Sequence, residues 1–282
     1  MYFTPTLVSL LLTSVAVTEA RNSRRCDAED PAPVTAPSST PSPEVPAGGH
    51  YIDFSTYDSS KQDVDAFLDQ HGYMVSTSVV ERDGDLPAAL PRRHVRDNVE
   101  IVDGALRLKV TAYPDGPADE VESGEIESHD YYHYGTIEAW AKATDVPGVC
   151  QGIFFFESDY AEIDIELLSS YYTKGYEYSV EPGAQFTNQA VVAGTASTRN
   201  ARAYGFDPAA DFHNYTIQWT PTTTAFFIDG KHQDTFKKNV PKVASQIVFN
   251  NWANGDPNWS AGPPKEAAYF HIKSIKYTPY SA

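Results

Sequence analysis

Apolar and polar residues alternate in short runs along most of the chain, and the runs are separated by Gly, Pro, Asn and Asp. Strict alternation puts successive side chains on opposite faces of a strand. Segments 99–111 (VEIVDGALRLKVT), 135–142 (GTIEAWAK), 152–157 (GIFFFE), 215–219 (YTIQW), 224–229 (TAFFID) and 272–277 (IKSIKY) are therefore expected to be strands. Asp103-Gly104 and Asp229-Gly230 lie between apolar runs and predict hairpin turns. A 3.6-residue period is nearly absent, apart from a helix expected around 61–69. Many short strands in one body predict an all-β antiparallel sandwich or barrel. No repeat of propeller or solenoid length is visible.

The first 49 residues break this pattern. An apolar run at 7–17 is too short to span a bilayer and is followed by Thr18-Glu19-Ala20. It reads as a secretory signal, residues 1–20, cleaved after Ala20 or Ala16, although no Lys or Arg precedes the run. Residues 31–49 (PAPVTAPSSTPSPEVPAGG) contain six prolines among Ser and Thr. Such a segment has nothing to build a core with, so 21–49 is expected to be an extended, hydrated tail. The folded domain is then 50–282. Export makes the sequons Asn214-Tyr215-Thr216 and Asn258-Trp259-Ser260 candidate glycosylation sites. It also leaves two states open for Cys26 and Cys150: a bridge pinning tail to body, or a buried free Cys150.

Charge narrows the partners. Lys+Arg 21 against Asp+Glu 38 gives a net charge of -17 and a pI near 4.7. That field repels nucleic acid and anionic membranes but not a neutral polymer. No membrane span is expected, and the chain should act as a monomer. His129-Asp130-Tyr131-Tyr132-His133 has the i, i+4 spacing of a zinc-protease helix, but the Tyr-rich segment running into Gly135 reads as a strand. The segment 81–85 (ERDGD) lacks the later ligands of a calcium loop and reads as a solvated turn.

One run departs from ordinary strand chemistry. In Tyr160-Ala161-Glu162-Ile163-Asp164-Ile165-Glu166-Leu167-Leu168, alternation places Glu162, Asp164 and Glu166 on one face and Ile163, Ile165 and Leu167 on the other. Acidic residues are depleted in strands, and three like charges in a row repel. A retaining glycosidase would use such a row, since it needs two carboxyls roughly 5–5.5 Å apart, one as nucleophile and one as acid/base. Cα atoms four residues apart on a strand are roughly 13 Å apart, so the outer side chains would have to lean together. A calcium site and a plain solvated strand face are the competing readings.

Glu162-Ile163-Asp164-Ile165-Glu166 resembles the E-x-D-x-E signature of family 16 glycoside hydrolases, the clan of lichenases, laminarinases and xyloglucan transferases. The resemblance covers roughly residues 95–280. It includes Ser123-Gly124-Glu125-Ile126, Tyr134-Gly135-Thr136-Ile137-Glu138, segment 148–157, Asn250-Asn251-Trp252-Ala253-Asn254-Gly255, Trp259-Ser260-Ala261-Gly262-Pro263-Pro264 and Ile275-Lys276-Tyr277. It implies a concanavalin A-like jelly-roll sandwich with a glycan cleft on its concave sheet. Glu162 would be nucleophile, Asp164 its helper and Glu166 the acid/base, with Tyr160, Glu125, Asn250, Trp252 and Trp259 contacting substrate. Trp252 and Trp259 would act as stacking platforms. Glu127 stands where similar enzymes carry a substrate-contacting arginine, and segment 271–277 lacks the aspartate that helps hold calcium in bacterial lichenases. No metal or cofactor is therefore expected. The activity implied is that of a secreted retaining endo-β-glucanase acting on β-1,3 or β-1,4 linkages, or both. A cell-wall glucan transglycosylase and a silent glycan-binding lectin are the alternatives. The intact acidic trio disfavours the lectin. Segment 181–199 is expected to be a subsite loop that decides linkage.

Overall fold

The computed structural model describes residues 44–81, 89–113, 120–171 and 181–281. The proposed signal, residues 21–43 of the tail, Cys26 and most of the 81–85 turn lie outside the described residues.

In chain order the elements are β1 (His50–Asp53), α1 (Val64–Gln70), β2 (Tyr73–Val75), β3 (Val79–Val80), β4 (Arg92–His94), β5 (Val99–Val102), β6 (Ala105–Val110), β7 (Val121–Ser128) and β8 (Gly135–Lys142). They continue with β9 (Cys150–Ser158), β10 (Ala161–Leu168), β11 (Ala184–Asn188), β12 (Thr198–Arg202), β13 (His213–Trp219), β14 (Thr224–Ile228), β15 (Lys231–Phe236), β16 (Gln246–Trp252) and β17 (Ala268–Pro279). An 8-stranded sheet runs β15-β14-β13-β8-β17-β6-β5, with β1 also on β17. A 9-stranded sheet runs β12-β11-β10-β9-β16-β7-β4-β3, with β2 also on β7. The β4–β7 pairing is parallel, whereas the β9–β10 and β10–β11 pairings that frame the acidic run are antiparallel. The sandwich that alternation allows is the fold observed, in the jelly-roll form that the resemblance implies.

Local chemistry explains the element ends. The 99–111 run is two strands, because Asp103 and Gly104 both take positive φ (52° and 73°) in a two-residue turn between Val102 and Ala105. Asp229 and Gly230 do the same between Ile228 and Lys231. Such turns match the right-handed strand twist, and glycine adopts the second position without steric cost. The helix starts at Val64, not 61, because Asp63 caps it: its carboxylate accepts the Ala66 N–H at 2.8 Å.

Two expectations are corrected. Segment 129–133 is not a strand; beyond β7 it is a bend with a single bridge from Tyr132 to Ser245. His129 Nε2 meets Asp69 at 3.0 Å and His133 Nε2 meets the Lys242 carbonyl at 3.1 Å, so the two histidines serve different partners. Segment 181–199 is not one loop but most of a hairpin, with a loop at 189–197. It contains β11 and the start of β12, which pair from Ala184–Arg202 to Asn188–Thr198. Its polar composition hid two strands that pair with each other and join the sheet through β10.

The core lies between the sheets. Ile163, Ile165 and Leu167 are fully buried there with Phe155, Phe186, Ile217, Trp219 and Phe226. Phe186 stacks on Phe226 at 4.8 Å and Phe155 tilts against Trp219 at 5.1 Å, locking β11 to β14 and β9 to β13. Each such side chain contributes about 1.5–3 kcal/mol. That burial holds β10 with its acidic face turned out of the sandwich. Asn214 points away from the core yet is fully buried and donates to Glu138 Oε2 at 3.3 Å, leaving no space for a glycan, whereas Asn258 is exposed in a turn.

Candidate active site

Strand β10 lies between β9 and β11 in the 9-stranded sheet, with Glu162 opposite Phe156, Asp164 opposite Phe154 and Thr187, and Glu166 opposite Gly152 and Gln185. The register shift on β9 falls between the partners of Ala161 and Glu162, so pairing is unbroken from Glu162 to Leu168. The acidic row therefore stands on a regular strand.

Two cavities meet over that row. One, of about 430 Å³, extends toward β7 and β4 and is lined by Arg92, His94, Glu125, Gly152 and Asn250. The other, of about 310 Å³, extends toward β11 and β12 and is lined by Thr187, Gln189, Arg199 and Trp259. Glu162, Glu166 and Trp252 line both. Together they form a groove running across the strands, with the carboxylates in the middle of its floor. Gly152 keeps that floor open: a Cβ there would lie 2.5 Å from Asn250 Oδ1 and 3.2 Å from the Phe154 ring.

The carboxyls differ in environment. Asp164 is 3% exposed; burial first, then the charges of Glu162 and Glu166, push its pKa well above the usual range. It bonds Glu162 through its side chain and accepts from Gln189 Nε2 at 3.1 Å. That hydrogen bond raises the proton affinity of Asp164 and lowers that of Glu162. Burial, Glu166 and Asp159 push Glu162 up to about 7, against the pull of Asp164 and Arg92. Burial also raises Glu166, opposed by the Trp259 indole, the Cys150 thiol, Arg92 and Arg199. Carboxyls this close titrate as a group, so one face supplies protonated and ionised members together.

Arg92, His94 and Gln189, which the sequence did not single out, join Glu125, Asn250 and Cys150 around the floor. Arg92 is half-buried, and desolvation lowers its pKa while Glu125, Glu166 and Glu162 counter that effect. His94 Nδ1 donates to Glu125 Oε1 at 2.9 Å, and Asn250 Nδ2 donates to Glu125 Oε2 at 3.1 Å. Burial would raise Glu125, but His94, Asn250 and Ser76 outweigh it and hold the carboxyl below its ordinary value. Cys150 is a buried free thiol, kept protonated by burial and by the neighbouring Glu166 charge. Gln189 had a readable signal, since Gln185, Thr187 and Gln189 alternate with Ala184, Phe186 and Asn188. Arg92 and His94 sit on a three-residue strand, too short for periodicity to show.

A family model described as Glycosyl hydrolases family 16 matches residues 92–271. The chain belongs to that family. A beta-glucanase of Brevibacillus brevis is 26% identical over 188 residues, which cover 63% of this chain and 68% of that protein. A Crh-like protein of Arthroderma benhamiae is 29% identical over 171 residues, which cover 55% of this chain and 44% of that protein. Among solved structures, the Bacillus licheniformis beta-glucanase superposes with a TM-score of 0.62 at 20% identity, covering 83% of this chain and 99% of that one. As a member of family 16 the chain is a glycoside hydrolase or a related transglycosylase.

Against this family background the expected site residues divide. Glu162, Asp164, Glu166, Glu125, Asn250, Trp252 and Trp259 all line the groove. Tyr160 is not brought to it: in the turn between β9 and β10 it is 51% exposed and lines a separate depression with Val191, Asn239 and Lys242. The turn points Asp159 into the groove instead. The two tryptophans are also engaged in ways not expected of free platforms. Arg92 covers one face of Trp252, and the Trp259 indole N–H donates to Glu166 Oε1 at 2.8 Å.

Proposed function

We propose that the chain is a secreted, retaining, endo-acting β-glucanase that cleaves β-1,3 or β-1,4 glucan, or both, as a monomer without a metal or cofactor. The observation that carries this reading is the acidic row of β10 standing in the middle of a groove with space on both sides, as cleavage within a polymer requires. Ionised Glu162 attacks the anomeric carbon while protonated Glu166 gives its proton to the leaving glycosidic oxygen, and the bond to the leaving sugar breaks. Asp164 holds the hydrogen bond to Glu162 and so orients the attacking carboxylate. Glu166, now ionised, then takes a proton from water, whose oxygen displaces Glu162 from the same carbon. Two inversions return the β configuration. A sugar hydroxyl in place of that water would give transfer rather than hydrolysis. Export rests on the 7–17 apolar run.

The test is product analysis on laminarin, lichenan and xyloglucan, with proton NMR of the earliest product. Shorter oligosaccharides with the β-anomer formed first are expected. Chains longer than the donor would make the protein a transglycosylase, binding without turnover would make it a lectin, and an α-anomer first would overturn the mechanism.

A further inference from the structure

Cys150 begins β9 and Gly152 faces Glu166 across the β9–β10 ladder, so the thiol lies diagonally beside the Glu166 carboxyl on the same sheet face. It is fully buried, lines neither cavity, and its Sγ donates to Glu166 Oε1 at 3.1 Å. Trp259 approaches from the groove wall and donates its indole Nε1–H to the same oxygen at 2.8 Å. The loop carrying Trp259 is tied down: the Trp259 N–H and Ala261 N–H both donate to the Asp256 carbonyl, and Ser260 Oγ bonds Asn254 Oδ1 at 2.9 Å. Two donors on one carboxyl oxygen occupy its two lone-pair directions.

We infer that Cys150 and Trp259 are positioning residues that clamp Oε1 of Glu166, so that the catalytic proton rides on Oε2 and the carboxyl cannot turn. This deepens the proposed function and rests on the assignment of Glu166 as acid/base. A fixed carboxyl presents the same oxygen to the glycosidic oxygen in the first step and to water in the second. Orientation of this kind contributes to rate without touching substrate. The clamp also stabilises the ionised form, because both donors bond better to a carboxylate than to a carboxylic acid. The other groups facing Glu166 are Glu162 and Asp164 on its own strand, Arg92 from β4 and Arg199 from β12.

The experiment is the pH dependence of kcat/KM, whose alkaline limb reports loss of the acid/base proton. Cys150→Ala should move that limb upward by on the order of 0.5–1 pH unit and lower kcat with KM nearly unchanged. Cys150→Ser keeps a donor and should return the limb to the parent position or below it. Trp259→Phe removes the second donor and should shift the limb in the same direction, which keeps the test open if Cys150→Ala fails to fold. Limbs that stay in place in the folded variants, with only a lower Tm, would overturn the clamp. Glu166→Gln separates this failure from failure of the underlying assignment. Glucan turnover lost, but azide-rescued on an aryl glycoside, upholds Glu166 as acid/base whatever the limbs do. Full glucan turnover in Glu166→Gln would overturn the assignment and the clamp with it.

Discussion

The Arg92 guanidinium lies 4.2 Å from the centroid of the Trp252 ring, so one face of this groove tryptophan carries a cation instead of open space for sugar. The pair does two things at once. The Trp252 ring holds the guanidinium beside the floor, and its charge lowers the proton affinity of Glu162 and Glu166. Arg92→Leu should therefore raise the acid limb of kcat/KM, which reports ionisation of Glu162, by on the order of 1 pH unit. Arg92→Lys keeps the charge and should leave the limb closer to the parent. A pH–rate profile of the three proteins checks this, and an acid limb unmoved in Arg92→Leu would show that the guanidinium serves only packing.

The raised pKa of Glu162 sets a stability slope as well. Folding lifts this carboxyl from 4.5 to about 7, so between those values the folded chain keeps a proton that the unfolded chain has released. Stability from this group is full below about pH 4.5 and is lost as pH rises through 7, a change on the order of 3 kcal/mol. Asp164 and Glu166 are raised too and act with the same sign. Glu162→Gln should flatten the slope and stabilise the protein at neutral pH while turnover disappears. Denaturant midpoints between pH 4 and 8 for parent and variant give the comparison. An unchanged slope in the variant would place the burial cost elsewhere.

Gly152 separates Glu166 from Asn250 on the groove floor, because it is the cross-strand partner of both. Gly152→Ala would drive a methyl group into Asn250 Oδ1 and the Phe154 ring. The expected result is a stability loss of about 1–3 kcal/mol, the usual cost of overpacking. Glucan KM should rise as Asn250 is displaced from its bond to Glu125. Melting curves and initial rates measure both effects. An alanine variant with parent KM would show that the floor at this point does not meet substrate.

How much of this was readable in advance differs from element to element. Strands β8, β13 and β14 were visible because they alternate around a buried face, and the Asp-Gly turns because they require positive φ. Strands β11 and β12 were missed: Thr198, Arg199, Asn200, Ala201 and Arg202 hold no large apolar residue, and β12 pairs only as the edge of a sheet built by β10 and β11. The acidic row was read correctly as one strand face, since a period of two needs no tertiary information.

What the sequence determined by itself was therefore local: an alternating all-β chain, its turns, its acid field, and three carboxyls that must share a face. Which groups surround those carboxyls was decided by tertiary structure alone. Arg92 arrives on a short strand paired in parallel with β7, Gln189 follows β11 and Trp259 sits in a tied loop, each far along the chain from Glu162. Tyr160, two residues from Glu162, was carried away from the groove by the turn it occupies. Neighbourhood along the chain sets which face a side chain takes. Burial, proton affinity and hydrogen-bond partners depend on what the other strands bring to that face, and long-range pairing leaves no mark in local periodicity.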